Sequence, residues 1–354
     1  MLYRLILALR HLFYDKGWKK SFQAPVPTVG IGNITVGGTG KTPHTELVLR
    51  HLLASDQWAY SELAVLSRGY KRRSRGFQKV PRDGSAQQFG DEPLQLARKF
   101  PQVTVAVDKD RVEGARLLTR PEELDGNKKA RRCLHRDFPA AQLIVLDDAF
   151  QYRRLRCSLD IVLVDYNRPV HKDRLMPWGR LRDLPSRIKK AGIVIITKCP
   201  SFLDGWERSR WRQYLGLKPQ QKLYFTTLSY GGMESVFPEA DIRYTYSKRL
   251  VLFTGIANDA PLRSYLSDSY KIVERIAFPD HHRYTRADVA RLEAAVKANP
   301  TACLVTTEKD AQRVEEAPGL SDSLRQRIFY LPVEAVFLTP EEKADFDKTL
   351  LEAL

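Results

Sequence analysis

Continuous apolar runs recur along the first two thirds of the chain and predict buried β-strands. They lie at residues 63–66, 103–107, 143–146, 161–164 and 193–196. Because side chains of both faces are apolar in each run, the runs are typical of strands covered on both sides of a sheet. Helical patterns separate several of them, for example at residues 92–99 and 110–118. This alternation predicts an α/β fold with a doubly wound, mainly parallel sheet.

Further apolar runs beyond about residue 225 predict a second, smaller α/β domain at the C-terminus. They lie at residues 250–253, 302–306 and 329–333. We therefore expect an N-terminal segment at residues 1–24, a core domain at 25–225 and the smaller domain at 226–354.

The N-terminal segment has the pattern of a basic amphipathic helix. Its apolar residues recur at spacings of three and four, at Leu2, Leu5, Ile6, Leu9, Leu12 and Phe13. Its basic residues are Arg4, Arg10, Lys16, Lys19 and Lys20. The longest uncharged run, residues 5–9, is too short to span a bilayer or to form the apolar part of a signal peptide. Either the helix lies on a membrane surface, or it packs its apolar stripe onto the core domain.

Charge and cysteine content narrow the class of protein. The net charge of +16 over 354 residues points to an anionic partner, which is a nucleic acid, a phosphorylated substrate or an acidic membrane surface. No nucleic-acid-binding motif accompanies the charge, so we expect no nucleic acid partner. The four cysteines are widely spaced without a C-x-x-C pair, which favours a reducing compartment over a disulfide framework or a zinc site.

A glycine-rich segment follows an apolar run and precedes a helical pattern. It consists of Thr35, Val36, Gly37, Gly38, Thr39, Gly40, Lys41 and Thr42. In such a loop the glycine amides surround a polyphosphate, the lysine reaches the β and γ oxygens, and the last hydroxyl binds Mg²⁺. Thr35 stands where the strict motif has glycine, so a structural turn is the alternative. The strand–loop–helix context favours a phosphate-binding loop and a core domain of the P-loop NTPase type.

The apolar run at residues 143–146 ends in Asp147 and Asp148. A buried strand that ends in an acid is typical of a Walker B element, because the strand delivers the carboxylate to Mg²⁺ or its water shell. A helix cap or a turn is the alternative for these two residues taken alone. Their occurrence together with the glycine-rich loop favours the metal role.

Two further clusters contain groups suited to proton transfer. Residues 90–93 place Asp91 at a turn before a helix, and residues 278–283 contain His281 and His282. Phosphoryl transfer to an alcohol needs a base, and a carboxylate with a pKa of about 3.9 is a weak one unless a neighbour orients it. An Asp/His pair drawn from the two domains would meet that need. Taken separately, Asp91 also suits an N-cap and the histidines also suit a solvated loop.

These motifs together resemble the tetraacyldisaccharide 4'-kinase family, the lipid A kinases. The resembling segments are residues 29–43, 67–70, 90–93, 147–151, 175–182, 278–282 and 307–310. They cover most of the chain in the order expected of the family. The resemblance implies transfer of the γ-phosphate of ATP to the 4'-hydroxyl of a tetraacylated glucosamine disaccharide 1-phosphate, which gives lipid IVA. It also implies a peripheral, monotopic location at the cytoplasmic face of the bacterial inner membrane.

The resemblance further assigns residues and partners. It implies that Asp91 is the catalytic base and that a histidine of the 280–282 loop, for which we favour His281, orients it. The implied metal ligands are Thr42, Asp147, Asp148 and Glu92. Candidates for contacts to phosphates or to the headgroup are Arg68, Arg111, Arg180 and Arg182, and candidates for linking the second domain to the site are Lys309 and Asp310. The implied partners are an acylated glucosamine disaccharide phosphate and an anionic membrane surface, without an obligate protein partner.

A departure from the family pattern at Ala149 and the rival protein classes bear on this interpretation. Ala149 stands where the pattern has glycine, which raises the question whether that position needs a positive φ. The rival is a membrane-associated P-loop ATPase switch with no small-molecule acceptor. Such switches usually carry a lysine before the two glycines, where this chain has Val36. A GTPase is disfavoured because residues 197–200 lack the aspartate that would read guanine.

Overall fold

The apolar runs of the sequence lie in two sheets, one in each of two units into which the chain divides. A computed structural model describes residues 2–127 and 130–354. The first unit consists of Met1–Gly84, Leu96–Ser229 and Glu334–Leu354, and the second of Ser85–Gln95 and Tyr230–Val333.

The strands, in chain order, are β1 (Phe22–Gln23), β2 (Thr28–Asn33), β3 (Leu63–Ser67), β4 (Gln78–Lys79), β5 (Thr104–Val107), β6 (Leu143–Asp147), β7 (Leu155–Arg156), β8 (Leu159–Asp165), β9 (Ile193–Thr197), β10 (Lys222–Tyr230), β11 (Glu234–Ser235), β12 (Arg249–Thr254), β13 (Lys271–Ala277), β14 (Cys303–Thr307), β15 (Ile328–Leu331) and β16 (Val333–Phe337). The helices are α1 (Leu2–Asp15), α2 (Lys41–Leu53), α3 (Ala86–Phe89), α4 (Asp91–Lys99), α5 (Arg111–Thr119), α6 (Gly205–Leu215), α7 (Ala260–Ser267), α8 (Arg286–Ala298), α9 (Glu308–Val314), α10 (Asp322–Arg325) and α11 (Pro340–Glu352). Short 3₁₀ helices lie at Pro121–Leu124, Ala130–Arg132, Val170–Lys172, Pro185–Lys190 and Ile242–Ser247.

The sheet of the first unit has the order β16-β10-β9-β8-β2-β6-β3-β5-β4. Its neighbours from β10 to β5 pair in parallel, and β4 pairs antiparallel at the edge. Every residue of β6 is buried, as are those of β2 and β9, because helices cover both faces. The predicted doubly wound, mainly parallel α/β sheet is therefore confirmed.

The second unit contains a five-stranded sheet of order β11-β15-β14-β12-β13. All of its pairs are parallel except β11 with β15. Alternate residues of β12 enter different cores, since Val251 and Phe253 pack in one cluster and Leu250 and Leu252 in another. The second unit therefore has the smaller α/β fold that the sequence predicted.

The division into units differs from the predicted boundaries at Ser85–Gln95 and Glu334–Leu354. Pro332 follows the last residue of β15, and the next residue begins β16, which joins β10 in the sheet of the first unit. Proline has no N–H to continue a ladder, so the apolar run at 329–333 is divided between two sheets. The α11 helix follows β16 back to the first unit, where Phe346 is fully buried. A pairing between strands this far apart in sequence leaves no local pattern.

The α1 helix has two different faces. Leu7 and His11 are buried against the first unit. The apolar stripe is exposed, with Leu2, Leu5, Ile6, Leu9 and Leu12 between 41% and 71% accessible. The alternative in which this stripe packs onto the core is therefore wrong. Within the described residues, no helix combines the length and the apolar character needed to cross a bilayer.

Candidate active site

The glycine-rich segment forms the loop between β2 and α2, and neighbouring strands hold it in place. The side-chain amide of Asn33 donates to Thr39 Oγ1 (2.6 Å). At the end of β9, two strands away from β2 in the sheet, the Thr197 hydroxyl donates to the Thr39 carbonyl (3.0 Å). Lys198, the residue after β9, donates from Nζ to the Gly38 carbonyl. These hydrogen bonds hold the loop in one conformation.

Two loop glycines have backbone conformations that other residues adopt rarely. Gly37 has a φ of 109° and Gly40, the N-cap of α2, has a φ of 85°. Thr35 instead forms an extended bridge with Leu181, and it is buried. This bridge explains why the position can lack the glycine of the strict motif. The first turn of α2 begins with Lys41 and the buried Thr42 directly after the left-handed Gly40.

Asp147, the last residue of β6, and Asp148 lie at the same edge of the sheet as the loop. The β2 and β6 strands are neighbours, with Ile31 opposite Asp147. Asp147 Oδ2 accepts a hydrogen bond from the Ser67 hydroxyl (3.1 Å). Asp148 Oδ1 lies 3.8 Å from Lys41 Nζ. The structure therefore brings the predicted phosphate-binding lysine and the predicted Walker B acids together.

Arginines surround the turn formed by these acids. Arg182 Nη1 donates to Asp148 Oδ2 (3.2 Å), and Arg182 Nη2 pairs with Oδ1 of the same carboxylate. The buried Arg111 donates to the carbonyls of Asp147 (3.2 Å) and Asp148 (3.3 Å). Burial raises the pKa of Asp148, but Lys41, Arg182 and Arg111 outweigh it and hold that pKa below its ordinary value. Asp148 is therefore ionised at neutral pH.

The positive φ in this turn lies at Asp148 and not at Ala149. Asp148 has a φ of 50°, whereas Ala149 is outside the positive-φ region. Aspartate tolerates the left-handed conformation better than most residues. The N–H of Ala149 donates to the carbonyl of Ile31 (3.1 Å), which ties the turn to β2. Alanine at 149 thus needs no adjustment of the loop.

Of the other predicted arginines, Arg68 lines a cavity of about 420 Å³ formed by the loop after β3. The remaining cations of this cavity are Lys71, Arg72, Arg75 and Lys109. Arg180 lines the small pocket at the glycine-rich loop, and its carbonyl accepts the N–H of Val36 (2.8 Å).

Asp91 and His281 form a contact within the second unit. His281 Nδ1 lies 3.2 Å from Asp91 Oδ2. The other histidine, His282, pairs with Asp288 (2.9 Å) and stacks on Phe278. The expectation that the acid and the histidine come from different domains was wrong, because Ser85–Gln95 belongs to the same unit as the histidine loop.

Arg313 is a member of this cluster that the sequence reasoning missed. Its Nε donates to Asp91 Oδ2 (2.8 Å), and its Nη1 donates to Asp310 Oδ1 (3.0 Å) and to the carbonyl of Gly255 (3.3 Å). Burial raises the pKa of Asp91, but the hydrogen bonds from His281 and Arg313 outweigh it, so the net pKa is below the ordinary value. Asp91 is therefore held as a carboxylate in a fixed position.

Lys309 and Glu92 pair beside this cluster, within the second unit. Glu92 thus has a cationic partner, and its predicted metal role stays a prediction. Among the described residues, no group of three or more His, Cys, Asp or Glu side chains could hold a metal alone. Mg²⁺ at a nucleotide keeps several waters and takes ligands from the phosphates, so one or two protein oxygens suffice. The Thr42 hydroxyl and the two acids after β6 are donors of the hard-oxygen type that fits this ion.

Comparisons with known proteins agree in one family. Residues 1–354 match the family model for tetraacyldisaccharide-1-P 4'-kinase. A tetraacyldisaccharide 4'-kinase from Phocaeicola vulgatus is 38% identical over 341 residues, which cover 95% of this chain and 88% of that protein. One from Porphyromonas gingivalis is 35% identical over 359 residues, which cover 99% and 94%.

A solved structure is similar over nearly the whole chain. It is the "apo" form of LpxK from Aquifex aeolicus in complex with ATP. The TM-score is 0.70 at 25% sequence identity, and the match covers 99% of this chain and 96% of that one. The similarity therefore extends over both units and is not limited to the phosphate-binding loop.

Proposed function

The chain belongs to the tetraacyldisaccharide-1-P 4'-kinase family, and on that basis we propose which of its residues bind the nucleotide, hold the metal and remove the proton. The protein is a kinase that transfers the γ-phosphate of ATP to the 4'-hydroxyl of tetraacyldisaccharide 1-phosphate, and the product is lipid IVA. The family match favours this function over an ATPase switch without an acceptor.

The nucleotide phosphates bind the loop of residues 35–42, where backbone amides and Lys41 neutralise their charge. Thr42, Asp147 and Asp148 would hold the accompanying Mg²⁺ directly or through its waters. When bound, that ion neutralises charge on the β and γ oxygens. The observation that supports this assignment most is the 3.8 Å distance between Lys41 Nζ and Asp148 Oδ1, because a phosphate-binding lysine and a metal-binding carboxylate are expected to lie side by side.

Asp91 receives the proton of the 4'-hydroxyl as the hydroxyl oxygen bonds to the γ-phosphorus and the bond to the β-phosphate oxygen breaks. His281 orients the carboxylate from 3.2 Å away. A carboxylate with a lowered pKa is a weak base, but phosphoryl transfer depends mostly on positioning and charge stabilisation. A weak base in a fixed position is sufficient, and no covalent intermediate on the protein is needed.

The acceptor is presented at a membrane surface. Four acyl chains keep the disaccharide in a bilayer, and the exposed stripe of α1, with its neighbouring exposed Arg4, suits the interface of an anionic leaflet. We place the protein on the cytoplasmic face of the bacterial inner membrane, as a peripheral protein that needs no obligate protein partner. The net charge of +16 favours the same anionic surface.

Labelled-phosphate transfer tests this proposal. Wild-type protein, Mg·ATP and tetraacyldisaccharide 1-phosphate in detergent should give a labelled lipid, and Lys41→Ala should give none because the phosphates lose their cation. Asp91→Asn should lower kcat by about 100-fold or more while ATP binding is unchanged, since the base is lost without a change of shape. Asp83→Asn, at an exposed position, is the matched control and should behave as wild type.

Different failures of this test have different meanings. If Asp91→Asn kept the wild-type kcat, Asp91 would be excluded as the base. ATP hydrolysis without a labelled lipid, at a rate that vesicles stimulate, would favour the ATPase switch.

A further inference from the structure

The inward face of α1 carries a buried pair between a histidine and an aspartate. His11 Nε2 lies 2.6 Å from Asp183 Oδ1, and the two side chains are 6% and 1% accessible. The N–H of Leu184 donates to the same oxygen (2.8 Å). Because a carboxylate oxygen only accepts hydrogen bonds, the His11 Nε2 carries the proton of this contact.

Asp183 directly follows Arg182, the arginine that holds Asp148. The backbone of Arg182 is fixed at both of its polar groups, since its N–H donates to the Ile34 carbonyl (2.8 Å) and its carbonyl accepts from the Tyr3 hydroxyl (3.0 Å). The α1 helix therefore contacts the backbone of Arg182 through Tyr3 and the next residue through His11.

The α1 helix also contacts the segment that follows Asp148 in the chain. Arg10 Nη2 donates to the carbonyl of Gln151 (2.8 Å). Gln151 itself donates from its side chain to the carbonyl of Asn33, at the end of β2. The helix thus fixes both segments that flank Asp148, and these contacts use residues other than its apolar stripe.

Loss of the His11 contact would have a specific local consequence. Within the described residues, Asp183 Oδ2 has no hydrogen-bond partner, and Oδ1 is bonded by the His11 side chain and the Leu184 N–H, with the charge of Arg187 nearby. A buried charge left without its partner is strongly unfavourable, and the segment that carries it moves toward water. Arg182 would move with it, away from Asp148.

We propose that His11 and Asp183 are positioning residues of the kinase reaction, which hold Arg182 against Asp148 and so place this carboxylate beside Lys41. This inference rests on the proposed role of Asp148 at the nucleotide. It makes α1 a part of the nucleotide site as well as a membrane-facing helix. Its two faces have separate functions, because the contacts that fix Arg182 lie opposite the exposed stripe.

Kinetics in detergent, where no bilayer is present, test this inference. His11→Leu should lower kcat/KM for Mg·ATP by about 10- to 100-fold, because a small displacement of the groups at the phosphates is costly. The KM for the acceptor and sedimentation with vesicles of phosphatidylethanolamine and phosphatidylglycerol should not change. His11→Gln, whose amide N–H can still donate to Asp183, should recover most of the loss. His135→Leu is the matched control at an exposed histidine.

Two more variants keep the outcome interpretable. If His11→Leu does not fold, Tyr3→Phe removes a single hydrogen bond to Arg182 and should lower kcat/KM for Mg·ATP by about threefold. Asp148→Asn serves as the reference. If it is inactive while His11→Leu and Tyr3→Phe match wild type, the positioning role is wrong and the proposed function stands. If Asp148→Asn retains full activity, the role of Asp148 fails and this inference fails with it.

Discussion

His44 shows how the surroundings of one side chain fix its charge beside the glycine-rich loop. Its Nδ1 donates to the carbonyl of Gly40 (2.7 Å), and its Nε2 accepts from the Thr226 hydroxyl (2.8 Å). Burial lowers the pKa of His44 to about 4, and the cation of Lys198 acts in the same direction. The imidazole is therefore neutral at physiological pH and adds no positive charge to the loop.

This lowered pKa predicts a pH dependence of stability. The unfolded chain binds a proton at His44 below about pH 6.5, whereas the folded chain does so only near pH 4. The neutral imidazole of His44 therefore makes its full contribution to the free energy of unfolding above pH 6.5. This contribution declines as the pH falls toward 4, by up to about 3 kcal/mol. Urea unfolding at several pH values should show this slope in wild type and in the surface variant His135→Gln, and a flatter curve in His44→Gln. Equal slopes in all three proteins would contradict the prediction.

The sequence predicted site residues where a local motif marks them, and missed those whose partners are distant. Lys41, Asp148 and Asp91 belong to motifs of adjacent residues. Arg313 lies 222 residues from Asp91, and no local pattern marks that contact. A usable signal was present, because Arg313 follows Asp310 of the 307–310 motif by one helical turn and so lies on the same face of α9.

At the scale of elements, apolar runs predicted buried strands well and edge strands poorly. The runs at 143–146 and 193–196 became β6 and β9. The two-residue strand β4 at the sheet edge has too few residues to show a period. The pattern of α1 correctly predicted an amphipathic helix, but which face packs on the protein depends on residues far along the chain, such as Asp183.

The exposed stripe of α1 predicts membrane binding that depends on its leucines. The double substitution Leu5→Ser and Leu9→Ser removes two side chains that are 56% and 44% accessible. Vesicle affinity should fall by about tenfold or more, because each leucine loses about 1 kcal/mol or more of transfer free energy. Sedimentation with phosphatidylglycerol-containing vesicles measures it. Leu134→Ser, at a leucine that is 70% accessible outside the helix, is the control and should bind as wild type. Unchanged binding of the double variant would exclude the stripe as the contact.

At the scale of the whole molecule, the chain leaves the first unit and returns to it. The second unit takes up Tyr230–Val333, and β16 and α11 then complete the sheet and core of the first unit. Phe346 of α11 packs against the rings of Phe337 (4.9 Å between centroids), His51 (5.4 Å) and Tyr224 (5.5 Å). The last helix is thus a structural part of the unit that carries the glycine-rich loop.

Removal of the Phe346 ring should therefore destabilise the first unit. Phe346 is fully buried, so Phe346→Ala should lower the free energy of unfolding by about 3–5 kcal/mol. Thermal unfolding followed with and without Mg·ATP measures the change in Tm. Phe202→Ala, at a phenylalanine that is 79% accessible, should leave Tm nearly unchanged. Similar Tm values for the two variants would show that α11 is not a structural part of the unit.

The return of the chain also sets an order for folding during synthesis. The β10 strand is complete at Tyr230, but its partner β16 begins only at Val333. While the ribosome makes the intervening residues, β10 presents an open edge whose N–H and C=O groups can pair with another chain. A truncated mRNA that ends before the codons of β16 would give a chain in which the edge of β10 stays unpaired. Truncated products of this kind should aggregate, and chaperones that cover exposed strands should be needed most at this stage of translation.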